Sequence, residues 1–147
     1  MTSSGPTRPS LALRDVLLAA ALANHAVAQQ LGLGLTDLTA LDHLLAGGAA
    51  GTKDLAELLG IRSPSATALV DRLESEGLVR RTPHPSDRRR VVLEATPQAH
   101  ERAGAAVAPL LVELDALARD LSADDQRVVA DYLHAVRGIL RRFGGGS

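Results

Sequence analysis

Asp87, Arg88, Arg89 and Arg90 are the residues whose types and spacing point most directly to chemistry. Three consecutive arginines present guanidinium groups, which bind phosphate and are attracted into the narrow minor groove of A·T-rich DNA. The preceding aspartate can pair with one arginine and hold it in a set orientation. Residues 62–90 contain seven arginines and four acidic side chains, although the whole chain has a net charge of −1. This local excess of positive charge predicts a surface that contacts nucleic-acid phosphates.

Two short helices joined by a glycine-containing turn precede this basic segment. Thr52 is expected to cap the first helix, and Gly60 begins the turn. Ser63 is expected to cap the second helix, with Pro64 as its first residue. Helical spacing predicts the inner sides as Leu55, Ala56 and Leu59 in the first helix and Ala66, Leu69, Val70 and Leu73 in the second. The pair predicts a helix-turn-helix, whose second helix can enter the major groove of DNA.

The outward face of the second helix is small and mostly polar. It carries Pro64, Ala68, Asp71 and Ser75, flanked by Ser65, Thr67 and Arg72. Small side chains near the start of a helix allow bases and phosphates to approach its backbone amides. Because Arg72 is the one cation on this face, we expect this helix alone to bind DNA with modest affinity.

A β-hairpin is predicted directly after the helix-turn-helix. Residues 78–82 and 90–95 have strand composition, and the loop between them contains two prolines. Alternation along the second strand predicts that Val91, Leu93 and Ala95 share one face. The arginines then lie at the hairpin tip, which predicts a wing suited to the minor groove.

Helices are also predicted on both sides of this central region. They are expected from Ser10 to about Gln30, over 36–46, from Pro97 (capped by Thr96) to about Asp120, and from a Ser122 cap to Phe143. Residues 16–23 are apolar on every side and residues 107–117 are dense in Leu and Val. A helix that is hydrophobic all round is buried, so we expect a second subunit to cover these helices. A three-helix core within one chain is the alternative.

The expected fold is therefore mainly α with a small β-hairpin wing, in which a winged helix-turn-helix domain lies between N- and C-terminal dimerisation helices. The expected divisions are a flexible tail at 1–9, an N-terminal dimerisation helix at 10–33, the DNA-binding domain at 34–96, C-terminal dimerisation helices at 97–143 and a tail at 144–147.

Composition narrows the classes of function. The chain has no cysteine, which excludes disulfides and thiolate metal sites. The longest wholly apolar run, at 16–23, is far shorter than a membrane span of about 18 residues, so we expect a cytoplasmic protein with no membrane partner. No phosphate-binding glycine loop or nucleophile elbow is present, and the five histidines show no close ligand spacing. We expect no enzyme activity, metal or cofactor.

The central region resembles the MarR family of bacterial regulators. The resemblance is carried by residues 34–36 (Gly-Leu-Thr), 54–61 (Asp-Leu-Ala-Glu-Leu-Leu-Gly-Ile), 71–74 (Asp-Arg-Leu-Glu), 77–81 (Gly-Leu-Val-Arg-Arg), 85–91 (Pro-Ser-Asp-Arg-Arg-Arg-Val) and Thr96. It covers about residues 33–98, and the wing sequence is its most specific part. It implies a homodimer that binds double-stranded DNA at a pseudopalindromic operator, most often as a repressor that a small phenolic or anionic molecule releases.

Carried over to this chain, the resemblance implies residues for each contact. Ser63, Ser65, Thr67 and Arg72 would meet the major groove and backbone, Arg88, Arg89 and Arg90 would form the cationic wing, and Asp87 would orient it. Asn24, His25 and His43 are candidates for an effector cleft, or else packed or partly exposed residues. Ala68 departs from the family, in which a basic residue is common at this position, and this shifts the contact towards the wing.

Two further interpretations remain open. A winged helix can serve protein contact or RNA binding, in which case charge reversal at Arg88 and Arg89 would leave activity intact. The protein can also bind DNA constitutively, without an effector, and a screen of small molecules for operator release would separate the two kinds of regulator.

Overall fold

The computed structural model describes residues 5–48, 51–87 and 89–144. Its elements are α1 (Arg8–Leu31), α2 (Leu35–Leu45), α3 (Thr52–Leu59), α4 (Ser63–Ser75), β1 (Val79–Pro83), β2 (Val91–Ala95), α5 (Pro97–Arg119) and α6 (Ala123–Gly144). The mainly helical fold with one antiparallel hairpin is confirmed. Residues 5–106 and 107–144 belong to two compact units, which are described separately.

Helix α1 begins earlier than predicted. Thr7, rather than Ser10, is its N-cap, and its side-chain oxygen accepts from the Ser10 amide at 3.4 Å. Ser10 therefore lies in the first turn, and part of the segment predicted as a flexible tail is helical; residues 1–4 of that tail lie outside the described residues. The helix ends at Gly32, whose left-handed φ of 70° turns the chain towards α2.

Helices α3 and α4 each begin at the residue that was predicted to cap them. The cap of α3 is Gly51, whose amide donates to the Asp54 carboxylate at 2.8 Å. The cap of α4 is Arg62, because its carbonyl accepts the first helical hydrogen bond, from the Ala66 amide, at 3.0 Å. The prediction of Thr52 and Ser63 as caps was therefore wrong by one residue.

The main core of the first unit joins the helix-turn-helix to the hairpin. The predicted inner stripe of α4 is buried in full, and Leu59 of α3 is partly buried against the same core. The buried members of this core are Ala40, Leu41, Leu44, Leu55, Leu69, Val70, Leu73, Leu78, Val79, Leu93 and Ala99. Aliphatic packing from every element between α2 and α5 therefore fixes the orientation of α4.

The hairpin departs from simple alternation. Its register pairs Val79 with Ala95 and Pro83 with Val91. Val91 is exposed, whereas Val92 and Leu93 are both buried. The regular pairing keeps Val91, Leu93 and Ala95 on one side of β2, as predicted, but only Leu93 is buried there, and Val92 on the other side is buried as well.

A second small core holds the end of α1 in the first unit. Ala28 and Leu31 pack with Leu38 of α2, and Ala106 of α5 packs against them. Nη2 of Arg102 donates to the Leu31 carbonyl at 3.1 Å, which satisfies an acceptor at the end of α1.

The starts of α5 and α6 agree with the predicted caps. Thr96 accepts the Ala99 amide at 3.1 Å and donates to the Gly77 carbonyl at 2.6 Å, which joins the start of α5 to the end of α4. In the second unit Ser122 accepts the Asp125 amide at 3.1 Å. Both caps satisfy amides that the helices leave without internal partners.

Apolar side chains cover much of the surface of α1 and of residues 107–144. They include Val16, Leu18 and Leu22 in α1, Leu110, Leu111, Val112, Leu114 and Leu117 in α5, and Val128, Leu133 and Ile139 in α6. By length and composition alone, α1 is long and apolar enough to cross a membrane, with a mean hydropathy of 1.4 over 18 residues. Counting only the wholly apolar run therefore understated the apolar character of α1, since its interruptions include uncharged Asn24 and His25.

Candidate nucleic-acid interface

The exposed start of α4 is the surface that the helix-turn-helix offers to a groove. Ser63, Pro64, Ser65, Thr67 and Ala68 are all exposed, as the helical spacing predicts. Burial of the opposite stripe requires this orientation, because those residues lie against α2 and the hairpin. The Thr67 hydroxyl donates to the Ser63 carbonyl at 3.1 Å, so it is used within the helix.

The Arg72 guanidinium is engaged by α2. Its Nε and Nη2 donate to the two carboxylate oxygens of Asp37 at 3.1 and 2.7 Å, a bidentate pair. Asp37 is only 7% exposed, whereas the Arg72 side chain is 57% exposed. Hydrogen bonding to Asp37 raises the pKa of Arg72. The pair ties α4 to α2 and leaves Nη1 outside the contact.

Arg81 of β1 joins the wing to α4. It donates through Nη2 to Asp71 at 2.6 Å and through Nη1 to Glu74. The hydrogen bond to Asp71 raises the pKa of Arg81, and both carboxylates add to this shift. Asp71, which alone would repel phosphate, is thereby compensated by a neighbouring cation.

The wing has bonds of its own. Across the hairpin, Arg80 donates from Nε to Glu94 at 3.0 Å. The loop is closed at its base, where the His84 amide donates to the Arg90 carbonyl at 2.9 Å. These bonds hold the two ends of the loop close together, so the loop starts and ends at fixed positions on the hairpin.

Asp87 lies inside this loop and contacts Arg89. One carboxylate oxygen accepts from both the amide and Nε of Arg89, at 3.1 and 3.3 Å. The Arg89 side chain is nevertheless 93% exposed, and Arg90 is exposed as well. Arg88, also predicted for this surface, lies outside the described residues. The expected pairing of Asp87 with a neighbouring arginine is present.

Two cations beside the helix-turn-helix turn were not among the predicted site residues. Lys53 and Arg62 border an open depression of about 500 Å³ together with Pro64 at the start of α4. Both side chains are exposed. The sequence could have indicated these two cations only by their positions. Lys53 lies in the first turn of α3 and Arg62 caps α4, and the free amides at a helix start favour anions.

Asp37 was also missed, although its position carried a signal. It lies four and seven residues before Leu41 and Leu44, and therefore on the core side of α2. A carboxylate on a buried stripe needs a partner, and arginine satisfies both of its oxygens. The sequence does not show which arginine lies within reach of Asp37, because the packing of α2 against α4 decides it.

The three effector candidates lie on two helices. Asn24 and His25 are exposed on α1, and His43 is half-buried on α2. A cavity of about 290 Å³ lies between α1 and the first part of α5 and is lined by Gln30, Leu31, Arg102, Ala105 and Ala106. The candidates do not line this cavity, so their role stays a prediction.

Comparison with known proteins shows what the central region is similar to. Residues 33–91 match the model of the MarR family. An uncharacterised HTH-type transcriptional regulator of Bacillus subtilis, YcgE, is 47% identical over 72 residues, which is 49% of this chain. The chain spans about half the length of this curated relative, since the match covers 47% of it.

Solved structures extend the likeness to nearly the whole chain. The transcriptional regulator Tm0710 of Thermotoga maritima is 25% identical, with a TM-score of 0.70 over 96% of this chain and 100% of its own. A single-residue mutant of MepR from S. aureus, bound to an oligodeoxyribonucleotide, shares the fold at 19% identity, with a TM-score of 0.59 over 92% and 99%. NadR in complex with 4-hydroxyphenylacetate is 25% identical, with a TM-score of 0.59 over 92% and 96%.

Proposed function

We propose that this chain, whose residues 33–91 match the MarR family model, is a transcription regulator that acts as a dimer and binds double-stranded DNA sequence-specifically. The wing is the observation that carries this proposal. An exposed arginine, held by Asp87 at the tip of a closed loop, directly follows a helix-turn-helix whose second helix begins with small exposed side chains. An ordinary solvated loop would not need the ion pairs of Arg81 with Asp71 and Glu74, which join this hairpin to α4.

The proposed contacts divide between the two grooves. Ser63, Ser65 and Thr67 approach the major groove, and Arg72 reaches a phosphate through Nη1 while Asp37 holds its other edge. Arg88, Arg89 and Arg90 form the cationic wing at the minor groove, oriented by Asp87. MepR in its complex with an oligodeoxyribonucleotide shares this fold and supports the assignment.

A second copy of the chain is the proposed cover for the outer helices. Exposed leucines and valines along α1, α5 and α6 form more apolar surface than an isolated chain of this size tolerates. This interpretation keeps α1 in the cytoplasm, and packing of Ala28 and Leu31 against α2 supports it over a membrane span. The proposed divisions are dimerisation helices at 10–33 and 97–143 around a DNA-binding domain at 34–96. Two recognition helices would then lie about 34 Å apart on a pseudopalindromic operator.

A small phenolic or anionic effector that releases the protein from a repressed operator is the proposed regulation. NadR supports this class of ligand, since 4-hydroxyphenylacetate has both a phenol and a carboxylate. Asn24, His25 and His43 remain the proposed contacts. An effector needs to favour the non-binding arrangement by only about 1 to 3 kcal/mol.

Substitution of Arg89 tests DNA binding. We expect Arg89→Ala to abolish most of the affinity for operator DNA, because an exposed guanidinium that is oriented at the wing tip is lost. The slope of log K against log salt should also become shallower by about 1 for each phosphate contact removed. Mobility shift at several salt concentrations, on the promoter beside the protein's own gene, measures both.

Arg8→Ala is the matched control, since Arg8 is an exposed arginine outside the proposed DNA-binding and dimerisation segments. It should leave affinity and salt slope unchanged. An Arg89→Ala protein that binds as tightly as the wild type at moderate salt would contradict the proposal. Retained activity after charge reversal at Arg88 and Arg89 would favour a protein-interaction module instead.

A further inference from the structure

We infer that the recognition helix α4 selects its half-site by contact with thymine methyl groups and not by hydrogen bonds from a cation to guanine. This inference rests on the proposed function and names the DNA that the same surface prefers. It follows from which groups on the exposed face of α4 are free to meet bases and which are already engaged.

Both charged side chains in the middle of this face are committed to other elements. The Nε and Nη2 edge of Arg72 lies on Asp37, and that pairing occupies one of the edges through which an arginine makes two parallel hydrogen bonds. Asp71 is bonded to Arg81. Bidentate contact of arginine or lysine with guanine O6 and N7 is the commonest specific contact in the major groove. Along residues 63–75, α4 has no second cation to make it.

The groups that remain near the start of α4 are small and carry no charge. Pro64 presents its ring, and Ala68 presents a methyl group, both at exposed positions. The Thr67 hydroxyl donates to the Ser63 carbonyl, so it can only accept from a base, and its methyl group is free for apolar contact. Ser65 adds a hydroxyl that can donate or accept, which discriminates little between bases.

The thymine C5-methyl is the apolar group that B-DNA displays in the major groove, and alanine and threonine methyl groups are its usual partners. The wing favours the same base pairs for another reason, since A·T-rich steps narrow the minor groove and attract arginine. Both contacts of the domain therefore prefer A·T pairs, with direct readout at α4 and shape readout at the wing.

Replacement of single groups in the DNA tests this inference. Full-length protein first selects duplexes from a random library. The selected duplex is then made with deoxyuridine in place of thymidine across the half-site, and separately with 7-deazaguanine in place of guanine. Each methyl group lost from contact should weaken binding about fourfold, the equivalent of about 0.8 kcal/mol for a buried methyl. Loss of guanine N7 should change the affinity little.

Ala68→Gly links the effect to the helix. This variant should bind thymidine and deoxyuridine duplexes more nearly equally than the wild type. Ala46→Gly is the matched control, because Ala46 is an exposed alanine directly after α2, and it should keep the full preference for thymidine.

The outcomes separate this inference from the proposed function. Enrichment of a duplex that is insensitive to deoxyuridine, or that loses affinity with 7-deazaguanine, would overturn methyl readout while DNA binding stands; a guanine contact would then point to Arg62. Failure to enrich any duplex would overturn the proposed function and this inference together.

Discussion

At the scale of single residues, Arg72 shows how one side chain type can serve two purposes. An arginine on the outward face of the proposed recognition helix suggests a phosphate contact, and the Arg72 side chain is 57% exposed with Nη1 outside its pair with Asp37. Its other edge meets a carboxylate that is almost completely buried. Arg72 is therefore also a positioning residue, since it joins α4 to a fixed point on α2.

We predict that Asp37→Asn weakens DNA binding although Asp37 itself has little surface with which to touch DNA. The amide lacks the charge and the second acceptor that Arg72 uses, so the orientation of α4 loosens. In a double-mutant cycle with Arg72→Ala, the two positions should couple by about 1 kcal/mol in the free energy of unfolding. Chemical denaturation of the four proteins measures the coupling.

Arg119→Ala is the control for this cycle, because its ion pair with Asp115 is exposed and within one helix. It should change stability by less than about 0.5 kcal/mol. Additive effects of Asp37→Asn and Arg72→Ala on unfolding, together with unchanged DNA affinity for Asp37→Asn, would show that the pair does not position the helix.

At the scale of elements, the hairpin and α4 are joined by charge as well as by the core. Arg80 and Arg81 are neighbours on β1, yet Arg80 pairs across the hairpin with Glu94 while Arg81 reaches Asp71 and Glu74 of α4. The two arginines thus give a matched comparison of a bond within the wing and a bond from the wing to the recognition helix.

We predict that Arg81→Met lowers the free energy of unfolding by about 1 to 2 kcal/mol and weakens DNA binding. The change leaves two uncompensated carboxylates beside the DNA-facing surface and frees the wing from α4. Neutralising them with Asp71→Asn and Glu74→Gln in the same protein should recover part of the affinity. Denaturation and mobility shift give the two readouts.

Arg80→Met should have the smaller effect on both measurements, since Arg80 touches only its own hairpin. Equal losses from the two arginine variants would indicate that only the total charge of the wing matters. No recovery on removal of the carboxylates would lead to the same conclusion.

At the scale of the whole molecule, apolar surface is the feature that requires a partner. Leu22 on α1 is 76% exposed and Leu117 on α5 is 69% exposed. Large exposed apolar side chains of this kind mark interaction surfaces in water. The proposed dimer would bury them and place two winged domains on one operator, so assembly and sequence recognition would depend on the same helices.

We predict that the combined change Leu22→Glu and Leu117→Glu converts the proposed dimer into a monomer, whose mass from sedimentation is near 15.3 kDa. Burying charge in an apolar interface without a partner opposes association strongly. DNA affinity should fall with it, because the two half-sites are no longer linked. Sedimentation velocity at micromolar concentration measures the state.

Leu58→Glu is the control for oligomeric state, since Leu58 is an exposed leucine on α3. It should leave the dimer intact. A wild-type protein that already sediments as a monomer at this concentration would contradict the proposed assembly.

Local patterns in the sequence determined most of the elements. The buried stripe of α4, the Thr96 and Ser122 caps and the hairpin that follows Gly77 were all predicted, with bounds correct to within one or two residues. These features depend on helical period, strand composition and capping chemistry, which act between residues only a few positions apart.

Tertiary structure alone decided which charges meet. Arg72 finds Asp37 thirty-five positions away, and Arg81 finds Asp71 ten positions back, across the junction of strand and helix. Burial of Val92 similarly depends on what covers the second side of β2. Aliphatic packing sets the distances between elements, and an ion pair forms only where those distances bring opposite charges within hydrogen-bonding reach. The sequence placed arginines near the surface that we propose faces DNA, and the packing decided that Arg72 and Arg81 pair with carboxylates beside it.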